Sequence, residues 1–138
     1  MQLHAYLTFN GNCKEAMTFY QNCLGGDLML QTLGDSPLSK GMPRTMKNYI
    51  LHATLTKDAF VIHASDLVPQ TGRLKGNTVS LFLNCSSEAE INLIYEKLSK
   101  NCKANNSIEH TFWGSLFGDL TDKYGNHWLL NYSKKSKS

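Results

Sequence analysis

No stretch of this sequence stays apolar for long enough to cross a membrane as a helix. Charge of one sign is also scarce. The net charge is +3, from 14 basic and 11 acidic residues, and Lys134, Lys135 and Lys137 of that excess lie in the basic tail 133–138. Without the tail the chain is near neutral, which leaves no electrostatic case for nucleic-acid binding. The cysteines, Cys13, Cys23, Cys85 and Cys102, include no CxxC pair, and an even count alone does not make a disulfide framework. The start, MQLHAYLTF, has no charged leader and no long apolar region, so it reads as a first strand and not a signal peptide. The expected setting is the cytoplasm, with reduced thiols. No HExxH is present either.

What is present describes a globular chain. The 138 residues are 41% hydrophobic and 18% charged, enough for one domain with a real core. Helical periodicity appears twice. Ala16, Phe19, Tyr20 and Cys23 recur at i, i+3, i+4, i+7, and Ile91, Ile94, Tyr95 and Leu98 repeat the spacing. Asn12 or Cys13 opens the first helix, and Gly25-Gly26 closes it. Ser86 or Ser87 opens the second, with Glu88 and Glu90 in its first turn. A strand precedes each helix, at 3–9 and at 78–84, and further strands follow at about 27–33, 48–56 and 59–65, then near 107–110. The chain closes on a hairpin in which Asp122 to Asn126 turn between 115–120 and 127–132, with Gly and Asn suited to positive φ. The plan is β-α-β-β-β, twice. The fold class is therefore α+β, one domain over 1–138, with module one at about 1–67, module two at about 77–132 and a disordered basic tail at 133–138. The break falls in 67–77, a loop with Pro69, Gly72 and Gly76. Neither half has the apolar surface to stand alone, so a shared core is expected.

Paired modules of this plan resemble the vicinal oxygen chelate superfamily of glyoxalase I, bleomycin-resistance proteins and extradiol dioxygenases. The segments AYLTFNGNCKEAMTFY at 5–20, HASD at 63–66, GNTVSLFL at 76–83 and TFWGSLFGDLTDKYGNHWLLN at 111–131 are similar to its PhnB-like branch, also labelled 3-demethylubiquinone-9 3-methyltransferase-like. The methyltransferase label has no support in the residues, since no glycine-rich nucleotide loop follows a strand. The resemblance implies curved sheets around a cleft, and a homodimer. It also implies that metal-using members place ligands on the first and last strand of each module. Carried over, those positions fall near Ala5 or Tyr6, at His63, at Val79 or Ser80, and at about Leu129. Only His63 is a ligand type, so no metal and no other cofactor is expected. If a divalent ion is bound, His4 and His63 are its ligands, with Glu109 or His110 as candidates to join them. The competing reading makes the histidines ordinary hydrogen-bonded side chains.

Three other features carry possible chemistry. Cys13, at a helix start and followed by Lys14, has the setting that lowers a thiol pKa; a small buried packing residue is the competing reading, and Cys85 holds the matching place before the second helix. Asp66, Asp119 and Asp122 lie near strand ends, with Asp122 a turn former. The loop 34–47, with Lys40, Arg44, Lys47, Met42 and Met46, is long enough to be a lid or a solvated connection. The expected function is metal-independent binding of a small molecule by Tyr6, His63, Ser80, Phe82, Trp113 and Phe117, with a metal-dependent lyase, isomerase or dioxygenase of the same superfamily as the alternative and a purely assembling module as a third.

Overall fold

The computed structural model describes residues 1–36, 40–41, 47–66 and 76–133. The connector 67–75, the tail 134–138, and Pro37, Met42, Pro43, Arg44 and Met46 of the loop 34–47 lie outside the described residues. The chain divides into two compact units, Met1–Lys75 and Gly76–Ser138.

Module one runs β1 (Ala5–Thr8), α1 (Cys13–Leu24), β2 (Asp27–Thr32), a short 3-10 turn (Leu33–Asp35), β3 (Ile50–Lys57) and β4 (Phe60–Ser65). Module two runs β5 (Leu81–Asn84), α2 (Glu88–Leu98), β6 (Ala104–His110), β7 (Ser115–Thr121) and β8 (His127–Ser133). The sheet orders are β1-β4-β3-β2 and β5-β8-β7-β6. In each, the first and last strands pair in parallel and the other pairs are antiparallel. The fold is α+β, built as β-α-β-β-β in tandem.

The helix stripes bury as their periodicity requires. In α1, Ala16, Met17, Tyr20 and Cys23 are buried, while Phe19 at the stripe's edge is half-buried. They face the side of the sheet that carries Ala53, Leu55, Ile62 and Ala64. In α2, Ile91 and Leu98 are buried, as are Leu116, Leu120, Trp128 and Leu130 of β7 and β8, the strands that α2 packs on. Each helix thus leaves the opposite face of its own sheet uncovered.

The two helices are capped differently. The Ser87 hydroxyl accepts the Glu90 N–H at 3.0 Å, and Glu90 takes the Ser86 N–H at 2.8 Å. Asn12 occupies the N-cap of α1 but makes no side-chain cap bond. Asp66 replaces it from across the sheet: its carboxylate accepts the N–H groups of Gly11, Cys13 and Ile50 at 2.7, 3.0 and 2.8 Å. Asp122 organises the closing hairpin in the same way, accepting the N–H groups of Tyr124 and Asn126 and the Trp128 indole N–H.

Several sequence expectations need correction. The first strand is shorter than 3–9, because Leu3 is 98% exposed and has no packing partner to hold it in the sheet. The second module's first strand begins only at Leu81, so Val79 and Ser80 precede it. In the hairpin turn Gly125 has positive φ and Asn126 does not, the side chain of Asp122 having taken the Asn126 N–H instead. Cys85 does not match Cys13. Its N–H bonds Asn131 as the Phe9 N–H bonds Ser65, which makes Cys85 the counterpart of Phe9.

Candidate functional site

Residues opposite one another in adjacent strands project to the same face. In module one the register aligns Tyr6, His63, Thr54 and Met29 across the four strands. This row lies on the face without the helix, and Tyr6 and Met29 are 57% and 72% exposed. The equivalent row in module two is Phe82, Leu129, Asp119 and Asn106. Register therefore equates Tyr6 with Phe82 and His63 with Leu129.

The first row carries a histidine chain. His4, just before β1, places Nδ1 3.0 Å from His63 Nε2. His52 places Nε2 3.1 Å from His63 Nδ1 and 3.2 Å from the Thr54 hydroxyl. The His63 ring is stacked against His4 (centroids 5.1 Å apart) and against Tyr6 (6.2 Å). Burial, then the neighbouring His4 and His52, hold the His63 pKa below the ordinary 6.5. Proximity of His4 and His63 was legible in the sequence. The part of His52 was missed, although its i, i+2 relation to Thr54 on a strand places both on one face.

The second row is arranged differently. Asp119 accepts a hydrogen bond from the Asn106 amide at 2.9 Å, with His127 Nε2 3.8 Å away. Phe82 is 57% exposed, Phe117 is half-buried in β7, and Ser80 is exposed ahead of β5. Trp113 sits in the turn between β6 and β7, 58% exposed, with the Phe112 ring edge-on at 4.9 Å. Trp128, by contrast, is sealed in the core.

Both ring nitrogens of His63 are engaged by other histidines, Nε2 by His4 and Nδ1 by His52. Among the described residues no three His, Cys, Asp or Glu side chains gather as ligands. Glu109 and His110 lie on β6, paired with Phe117 and Leu116. Register also places Tyr6, Phe82 and Leu129 at the other three positions, and none is a strong divalent-ion ligand.

Cys13 is not an activated thiol. It is fully buried, and burial together with the charge of Asp66 raises its pKa to about 12. Desolvation and that carboxylate outweigh the helix terminus and Lys14. Burial and Glu90 likewise lift Cys85 to about 11. All the cysteines are free.

The chain belongs to the family described as 3-demethylubiquinone-9 3-methyltransferase, whose sequence profile matches residues 1–131. It is 31% identical to the YjdN protein of Escherichia coli K12, over 98% of this chain and 97% of that one. It is similar to the crystal structure of protein PA1353 from Pseudomonas aeruginosa, with a TM-score of 0.84 and 35% identity over 96% of this chain and 98% of that one. The PhnB protein of Bacillus cereus shares the fold, with a TM-score of 0.73 and 23% identity over 96% and 100% of the two chains. Structures described as glyoxalase-related share the fold at 16 and 17% identity.

Proposed function

We propose that this chain is a metal-independent, small-molecule binding protein of the glyoxalase/bleomycin-resistance/PhnB type, working as a homodimer in the cytoplasm. The observation that carries this reading is the composition of the four equivalent strand positions, Tyr6, His63, Phe82 and Leu129. They offer aromatic and aliphatic surface with a single imidazole. Such surface suits a ligand held by burial and a few hydrogen bonds. Taken by itself, module one offers Tyr6 and His63 on its open face. Module two, taken by itself, offers Phe82 and Phe117, with Ser80 as a polar handle and Trp113 as an exposed aromatic. Free thiols, three of them buried, suit a reducing compartment. No helix among the described residues is long and apolar enough to cross a membrane.

The test is a calorimetric titration of tag-free protein with small aromatic and anionic compounds, with and without a chelator, on a sample of dimer mass by light scattering. Binding should persist in the chelator. Trp113→Ala should weaken it about fivefold, the value of a stacked aromatic at about 1 kcal/mol. About one zinc, iron, manganese or nickel per chain, or binding abolished by chelation, would sink the reading. A monomer mass would remove the dimer.

A further inference from the structure

The two contacts in the histidine chain join unlike nitrogens. His4 Nδ1 meets His63 Nε2, and His63 Nδ1 meets His52 Nε2. Every link therefore runs from the Nδ1 of one ring to the Nε2 of the next. A neutral imidazole has one N–H and one lone pair, and each link needs one of each. If His63 donates from Nδ1, His52 accepts at Nε2 and keeps its own proton on Nδ1. His63 then accepts at Nε2, so His4 must donate from Nδ1. The opposite choice puts all three protons on Nε2. Two neutral arrangements satisfy both links, and in each the three rings share one tautomer.

We propose that His4, His63 and His52 form a three-ring proton relay on the open face of module one, serving a weakly acidic group of a ligand held there. The ligand clause rests on the binding function proposed above; the relay itself does not. The ends of the relay differ. His52 is half-buried and within reach of the Thr54 hydroxyl, whereas His4 is exposed to water. A proton taken from the ligand at His52 Nδ1 moves the Nε2 proton of His52 to His63 Nδ1. The Nε2 proton of His63 passes to His4 Nδ1, and the Nε2 proton of His4 leaves to water. One proton enters, one leaves, and no electron is transferred. Imidazoles exchange protons best with groups that ionise near neutrality, so the ligand class is an enol or an acidic phenol.

The surroundings favour the relay. The Tyr6 ring runs nearly parallel to the His63 ring at 6.2 Å, and the links to His4 and His52 hold its two nitrogens. Among the described residues no carboxylate hydrogen-bonds any of the three rings to trap the proton; Asp27, on the same face, lies at the far end of the sheet opposite Thr56.

The experiment is nitrogen NMR of the full chain with labelled histidine, in the absence of any ligand. At neutral to alkaline pH the Nδ1–H fraction should be the same in His4, His63 and His52, with scalar coupling across at least one N–H···N link. His63→Gln should break the match, so that His4 and His52 show unequal fractions, while His110 and His127 report an intact fold. Because His4 is exposed and precedes β1, His4→Gln offers a second variant without risk to the core, and it should shift the His63 tautomer. Unequal tautomers in the parent protein, or His4 and His52 signals unmoved by His63→Gln, would overturn the relay. Since no ligand is present, that failure is distinct from a failure of the binding reading.

Discussion

Asp66 shows how one side chain can serve several elements at once. It is 3% exposed, and its carboxylate takes backbone N–H groups from the β1–α1 turn, from the first turn of α1 and from the start of β3. A buried donor left without a partner costs about 1–3 kcal/mol. Asp66→Ala leaves two such donors, the N–H groups of Cys13 and Ile50, while water can reach that of the exposed Gly11, so it should destabilise the fold by about 2 kcal/mol in urea denaturation. A loss within about 0.5 kcal/mol, the range of a neutral surface change, would contradict the role. Burial first, and then this carboxylate, explain why Cys13 is inert. The sequence shows a cysteine at a helix start, but Asp66 lies far away in the chain and its approach is visible only in the folded sheet. His52 escaped notice for the same reason. Its local partner is Thr54, two positions on, and the pairing of β3 with β4 is what brings it to His63.

At the scale of elements, the contrast between the helix starts can be measured. Ser87 makes its cap bond and Asn12 does not. Ser87→Ala should cost about 1 kcal/mol, while Asn12→Ala should cost well under half of that. Equal losses in thermal or urea unfolding would show that Asp66 does not stand in for the Asn12 side chain. The helices were the most legible elements, because an apolar stripe at 3.6-residue spacing is a repeated local signal. The closing hairpin was legible because Asp122 and Gly125 are turn formers that act within a few residues. β6 was the least legible. It runs Ala104–His110, six of its seven residues are exposed, and a register irregularity lies between Asn106 and Glu109, so it offers no alternating pattern. β5 was placed too early because Val79 has strand character, yet it stands 78% exposed outside the ladder.

For the whole molecule, the shifted groups set a pH window. His63 is held below 6.5 in the fold. Between its folded value and 6.5 the unfolded chain binds the extra proton, so stability is lost as pH falls through that interval and is full above it. Cys13 and Cys85 move from 9.0 to about 12 and about 11. Above 9.0 the unfolded chain gives up these protons first, so stability falls as pH rises. Urea midpoints should therefore form a plateau between pH 6.5 and 9.0. The acid limb should be the shallower, since His63 is only half-buried and solvent screens it. The alkaline limb should flatten in a Cys13→Ala, Cys85→Ala double variant, and a limb that persists there would refute the assignment. The tandem plan behind this behaviour was readable from the two helix stripes and the closing hairpin. The open rows were not, because identifying Tyr6 with Phe82 and His63 with Leu129 needs the register of each sheet.

The strand order has a consequence for how the chain acquires its working face. Adjacent strands such as β3 and β4 can zip together from a tight turn. β1, however, finds its only partner among the described residues in β4, so Ala5 must wait until Ile62 exists and is in place. Contacts between residues so distant in sequence form late, since the intervening chain must be ordered first. On a ribosome β1 would emerge ahead of the other strands of module one and be seated last among them. Tyr6 arrives with that strand and His4 just ahead of it, so an incompletely folded nascent chain would hold His52 and His63 without the other half of their face.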